Sequence, residues 1–183
     1  ESAELYQWWR DGRYRHYDDD TLVELLIAIK RLTPPWVRIE RVIRDIPSTS
    51  IRAGCLVTNL REEVRRRLRA RELSCRCIRC RQVRGDVSGA FTLTRRDYEA
   101  AGGREIFLSF EDAAADRLAS LLRLRLPSAE APGFRALDGA ALIRELHSYG
   151  RHLPLAEHRD GAVQHQGFGR RLLDEAERIA REE

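Results

Sequence analysis

Apolar residues recur along this chain in two different rhythms, and the change between them divides it. In the first seventy or so residues the spacing is three to four. Leu5, Trp8 and Trp9 open a helical pattern that Asp11-Gly12 ends. Asp18-Asp19-Asp20-Thr21 offers N-cap residues, and Leu22, Leu25, Leu26, Ile29 and Leu32 follow at helical spacing. Thr33-Pro34-Pro35 stops that helix, because proline cannot continue it and biases its predecessor away from α. Trp36 to Ile43 alternates in part and is rich in β-branched residues, which predicts a short strand. Asp45-Ile46-Pro47-Ser48 predicts a turn, and Asn59 predicts the cap of a further helix from Leu60 to about Leu73. A helix, a strand and a helix form a βα fragment, the expected end of something larger.

From Ala90 the rhythm shifts towards two. Phe91-Thr92-Leu93-Thr94-Arg95 alternates, Asp97-Tyr98-Glu99 is polar, and Gly102-Gly103 turns the chain. Arg104 to Glu111 predicts a strand, Asp112 to Asp116 a hairpin loop, and Leu118 to Leu126 a second strand. After a Pro/Gly/Ala connector from Pro127 to Gly133, Ala140 to Gly150 predicts a third strand. Gly167 then opens a helix with Leu172, Leu173, Ala176 and Ile179 on one stripe. Residues 73–90 read as a loop-rich junction. The class is α/β, and no internal repeat is visible.

Composition narrows this picture. The chain has 183 residues, 43% hydrophobic and 34% charged. That is enough apolar material for a core. No apolar run approaches the roughly 20 residues of a membrane span, and no N-terminal segment reads as a secretory signal, so a cytoplasmic protein without a membrane partner is expected. Methionine is absent even at position 1, which reads as an excised or processed piece. Lysine occurs once, at Lys30, so arginine carries nearly all the positive charge. Arginine offers a planar fork suited to phosphate, although GC-rich coding would give the same bias.

The net charge is +4, and the positive residues are clustered. Ten arginines lie between Arg61 and Arg84, against Glu62, Glu63 and Glu72. Such a field draws a polyanion through phosphate contacts and counterion release. Arg61, Arg65, Arg66, Arg69, Arg76, Arg79, Arg81 and Arg84 are the candidate RNA-binding residues. A solvated helix face laced with Glu–Arg pairs would give the same sequence.

Three of the four cysteines, Cys75, Cys77 and Cys80, fall within six residues. Thiolates at short spacing suit one tetrahedral zinc ion, and neighbouring arginines favour the thiolate form. A fourth ligand could come from Cys55, His147, His152 or His158; reduced or redox-active cysteines are the alternative.

The sharpest chemical signal is Gln164-His165-Gln166-Gly167-Phe168-Gly169-Arg170, between a strand and a helix. Glycines let a backbone approach a ligand closely. The first N–H groups of a helix lack intrahelical partners and suit a pyrophosphate. On the preceding strand, His147 could orient a thioester or a water, and Glu145 could activate water as a base. A satisfied structural His and a surface Glu are the plainer readings.

The loop resembles the acetyl-coenzyme A loop of the GCN5-related N-acetyltransferase (GNAT) fold. The resemblance narrows over Arg144-Glu145-Leu146-His147-x-Tyr149-Gly150, Gln164 to Gly169 and Glu175 to Ala180. Upstream, Pro34-Pro35-Trp36, Asn59-Leu60-Arg61, Gly102-Gly103-x-Glu105-x-Phe107-Leu108-Ser109 and Leu121-Leu122-Arg123-Leu124-Arg125 extend it. Together these are similar to the catalytic subunit of Elongator and its single-chain bacterial and archaeal relatives, which modify the wobble uridine of tRNA.

The resemblance implies the C-terminal end of a radical S-adenosylmethionine (SAM) barrel at residues 1–72 and a Cys-rich zinc junction at 73–90. Residues 91–183 would be an acetyltransferase domain with a mixed, mostly antiparallel sheet, C-terminally incomplete against the family. It implies acetyl-CoA contacts from Glu145, Leu146, His147, Ser148, Gln164, His165, Gln166, Gly167, Phe168, Gly169 and Arg170. SAM and a [4Fe-4S] cluster belong to the full-length family, and their motif is not in this chain. The expected function is a fragment of the enzyme that carboxymethylates the wobble uridine, with tRNA as partner and a homodimer or Elongator-type subunits as further partners. A protein lysine acetyltransferase and a non-catalytic RNA-binding module are the alternatives.

Overall fold

The computed structural model describes residues 2–42, 47–85, 88–127, 137–150 and 167–183. They form two compact units, residues 1–77 and 78–183.

The first unit is helical. Helix α1 spans Glu4–Arg10 and buries none of its residues. Helix α2 spans Asp19–Leu32; the Asp18 carboxylate accepts the Thr21 N–H at 2.7 Å, as the cap residues predict. Val23, Ile27 and Lys30 are its buried positions. Val23 and Ile27 meet Leu60, Val64 and Leu68 of helix α3, Leu60–Ala70, in a core that also takes in Cys55, Cys75 and Cys77. Burying each such aliphatic side chain is worth about 1.5–3 kcal/mol.

Three expectations change here. The strand predicted over residues 36–43 is absent from residues 36–42: the stretch is irregular, and Ile39 and Val42 pack singly against the helical core. Helix α3 stops at Ala70 instead of near Leu73, and the chain reverses through Glu72 at φ 54°. Asn59 does occupy the N-cap of α3, but its side chain makes no capping hydrogen bond. The turn predicted at Asp45-Ile46 lies outside the described residues.

The second unit opens with a single helical turn, α4 at Ile78–Arg81, inside the stretch that reads as loop. Four strands follow: β1 Thr92–Ala100, β2 Gly103–Asp112, β3 Arg117–Pro127 and β4 Leu142–Ser148. Their order is β1-β2-β3-β4, every neighbour antiparallel, so among the described strands the sheet is a simple meander rather than mixed. The polar Asp97-Tyr98-Glu99 does not break the first strand; β1 runs through it to Ala100. Ala101 and Gly102, both at positive φ, make the tight turn into β2. Each of the last two strands carries an irregularity. Phe110 and Glu111 face Ser120 and Leu118, which leaves Ala119 extra in β3, and Leu124 and Arg123 face Ile143 and Glu145, which leaves Arg144 extra in β4.

Helix α5, Phe168–Glu182, packs on β2, β3 and β4 through Phe168, Leu172, Ala176 and Ile179. Phe168 stacks on Phe110 with ring centroids 4.3 Å apart, and the Arg171 guanidinium lies 4.4 Å from the Phe110 ring. Ile106, Leu108, Leu122 and Leu124 share this apolar side of the sheet and are fully buried.

The opposite side is built from charge. Glu111 accepts two hydrogen bonds from Arg96, at 2.7 and 2.9 Å, and one from Ser109 at 2.7 Å. Arg81 of α4 lies 2.6 Å from the same carboxylate. Burial alone would raise the Glu111 carboxyl; hydrogen bonds from Arg96, Arg81 and Ser109 instead hold it down to about 2.

Candidate functional site

The candidate cofactor site gathers where β4 ends and α5 begins. Gly167 caps the helix in the left-handed region, at φ 66° and ψ 16°, a conformation that glycine adopts without steric cost. Among the described residues no side chain caps the helix. Among the described residues a Cβ at Gly167 would meet nothing within 4 Å; one at Gly169 would lie 3.8 Å from the Ser148 hydroxyl of β4. Ser148 Oγ is 2.9 Å from Ser120 Oγ, and Ser120 donates to the His147 carbonyl at 3.0 Å. These bonds tie β4 to β3 beside the head of α5. Among the described residues β4 pairs only with β3.

Of the sequence-predicted cofactor residues, Ser148, Gly167 and Gly169 come together here. Phe168 turns into the core under Phe110. Arg170 projects into solvent, where it meets Asp174 at 3.4 Å. Gln164, His165 and Gln166 lie outside the described residues. Leu146 and His147 are exposed, and the His147 ring sits 4.5 Å from that of Tyr149. Glu145 is half-buried and accepts from Arg123 at 2.8 Å, so one of its oxygens is already engaged.

Cys75, Cys77 and Cys80 do converge: their sulfurs all lie within 4.8 Å of one another. Zinc with about 2.3 Å bonds to sulfur holds its thiolates about 3.8 Å apart, so the donor set fits a soft metal ion. Cys75 and Cys77 are buried and Cys80 is exposed. Cys55 and His147 do not join the group, and His152 and His158 lie outside the described residues. Burial raises the Cys55 thiol above its ordinary range.

The arginine-rich segment divides. Arg65 pairs with Glu62 at 3.2 Å and Arg66 with Glu63 at 2.7 Å, as on a solvated helix face. Arg61 instead donates to the carbonyls of Ile39 and Glu40. Arg65, Arg66 and Arg69 line an open groove of about 610 Å³ together with Asn59, Glu62 and Glu63. Arg69, Arg76 and Arg84 are exposed, and Arg79 is half-buried. Arg81 is a correction: it is 3% exposed and held by Glu111 and Asp116, so it cannot reach an RNA backbone.

Sequence reasoning missed the charged side of the sheet. Glu105 is buried on β2 and accepts from Arg125 at 2.9 Å and from Arg144 at 2.6 Å. Arg123 reaches Glu145 and the Tyr98 hydroxyl. The Leu/Arg alternation of β3 was the available signal, because it placed Arg123 and Arg125 on one side.

Residues 1–70 match the family described as the radical SAM C-terminal domain. Over its whole length the chain is 52% identical to a tRNA uridine(34) acetyltransferase of Dehalococcoides mccartyi, of which it covers 41%. It is 44% identical over 98% of its length to human Elongator complex protein 3, covering 34% of that protein. A solved structure of archaeal Elp3 from Methanocaldococcus infernus, with an N-terminal deletion, matches the full chain with a TM-score of 0.85 at 42% identity. The chain is thus similar, over nearly its whole length, to proteins of the Elongator catalytic-subunit kind. It spans 34 to 41% of the length of these two curated relatives and 45% of the solved Elp3 chain. The family likeness runs through both compact units, because these matches extend far beyond residue 70.

Proposed function

We propose that this chain is part of a tRNA wobble-uridine-modifying enzyme and supplies its acetyl-CoA site and part of its RNA-binding surface. One observation carries the reading: among the described residues, a helix head with no side-chain cap and a left-handed glycine stands beside β4, a strand paired on one edge only. In the GNAT arrangement that pairing takes the pantetheine arm along the strand and the pyrophosphate on the helix N–H groups. Here the N–H groups of Phe168, Gly169 and Arg170 would face the phosphates and the edge of β4 would face the arm. The names of the relatives, tRNA uridine(34) acetyltransferase and Elongator complex protein 3, support the same assignment.

The chain's own residues bind and orient. Ser120 and Ser148 hold β4 in place; His147 and Glu145 are the titratable groups on it. Cys75, Cys77 and Cys80 would hold zinc in a structural role, closing their short loop. Arg65, Arg66 and Arg69 would contact RNA phosphates, which position a substrate without reading its sequence.

Calorimetry on this chain tests the reading. Acetyl-CoA is expected to bind, and Gly167→Glu to abolish binding, because it places a carboxylate and a strained backbone where the phosphates would sit. Binding that survives Gly167→Glu would refute the placement of the site.

A further inference from the structure

Glu105 and Arg144 make a contact that spans three strands. Glu105 stands on β2, opposite Arg125 of β3, while Arg144 stands on β4, one strand further away. The Glu105 carboxylate is almost wholly buried, and both guanidiniums donate to the same oxygen, Oε1. Its other oxygen is buried and takes no hydrogen bond among the described residues. Arg125 is anchored elsewhere as well, on the carbonyls of Ala100 and Ala101 at the β1–β2 turn. Arg144 is therefore the arm by which this buried carboxylate reaches the outer strand.

Arg144 is also the extra residue of β4. Leu124 faces Ile143 and Arg123 faces Glu145, so nothing on β3 faces Arg144. In a regular strand, consecutive side chains point to opposite sides. Here Arg144 and Glu145 both point to the charged side, one to Glu105 and the other to Arg123. A bulge permits this, and bulges re-aim the residues that follow. Without it, every side chain from Glu145 to Ser148 would exchange sides. Ser148 would leave Ser120 and the head of α5, and His147 would take its place.

We propose that Glu105 and Arg144 are positioning residues: their ion pair holds the bulge in β4, and the bulge presents Ser148 to the head of α5 while keeping Glu145 and His147 on the other side. The role in acetyl-CoA binding rests on the function proposed above; the clasp on the bulge does not.

The variants Arg144→Met and Arg144→Lys test it in this chain. Arg144 is half exposed, and Arg125 still neutralises Glu105 in both variants, so the sheet stays folded. Amide hydrogen exchange over residues 142–148 is expected to quicken at least tenfold in Arg144→Met, with β1 and β2 unchanged, and to return towards the original rate in Arg144→Lys. The affinity for acetyl-CoA is expected to fall about tenfold in the first, the order set by losing one charge-assisted bond, and to stay within about threefold in the second, at a similar melting temperature. Unchanged exchange in Arg144→Met would overturn the clasp. Faster exchange with unchanged affinity would overturn the positioning role. A parent chain that binds no acetyl-CoA would overturn the reading of the site and the positioning role together, while exchange would still decide the clasp.

Discussion

Two groups of arginines in this protein have opposite fates. On helix α3, Arg65 and Arg66 pair with glutamates three residues away and keep much of their surface in water. On the charged side of the sheet, Arg81 and Arg96 close on Glu111, and Arg125 and Arg144 close on Glu105. The first group is screened by solvent and salt, so its ion pairs add little to the fold and its field stays available to a polyanion. The second group closes on buried carboxylates, and where the arginine is buried too, as Arg81 is, a lost partner leaves a desolvated ion. The burial of the carboxylate, rather than the number of arginines, decides which kind of work the cation does.

Breaking the buried group should have the largest effect. Glu111→Gln leaves Arg81 and Arg96 facing a neutral amide and is expected to destabilise the sheet unit by about 3–5 kcal/mol, as loss of one partner of a buried pair does. Urea unfolding followed by circular dichroism would measure it. The same group makes the unit acid-sensitive. Because the folded Glu111 carboxyl titrates at about 2, below the ordinary value of 4.5, its contribution is complete above pH 4.5 and disappears as the pH falls towards 2. Glu111→Gln should flatten that part of the stability profile; an unchanged profile would reassign the acid sensitivity.

A smaller effect is expected from the exposed group. Replacing Arg65, Arg66 and Arg69 together with glutamine should leave the melting curve nearly unchanged. It should weaken tRNA binding and reduce its logarithmic salt slope by roughly two, given roughly 0.7–0.9 per lost phosphate contact. A salt titration of tRNA binding decides this, and an unaltered slope would move the RNA surface elsewhere.

The finest probe is Glu63, which holds Arg66 and Arg67 and whose carboxyl hydrogen bonds from those arginines keep down at about 2. Glu63→Gln should release Arg66, while Arg67 stays held by Asp20 and Glu24, and should tighten tRNA binding roughly threefold through one less repelling charge. Weaker binding would mean that Glu63 orients those arginines instead of competing for them.

Much of this was legible in the sequence for a physical reason. Helical spacing reports the helix itself, so α2 and α5 announce themselves in Leu22–Leu32 and Leu172–Ile179; but α2 buries Val23, Ile27 and Lys30 and leaves Leu25, Ile29 and Leu32 of the expected stripe exposed. Gly102 reports a turn because few other residues accept its positive φ as readily. The strand expected at Trp36–Ile43 failed because β-branched residues also serve singly as plugs against a helical core, which is what Ile39 and Val42 do. At the candidate site, the glycines and Ser148 were visible. The Glu105–Arg144 pair was not, since it depends on the registers of three strands and on one extra residue in β4, neither of which local pattern encodes. Arg81 looked like its neighbours in sequence, and only the carboxylate facing α4 separates it from them.

The solitary lysine, Lys30, is buried in α2 at 2% exposure. The chain therefore shows almost no lysine amine to solvent. An acyl donor held at the head of α5 would find no ready lysine nucleophile on the protein itself, so self-acylation of this chain is disfavoured from the outset. By the same token, amine-directed cross-linkers and dyes will leave the side chains of the folded body nearly untouched.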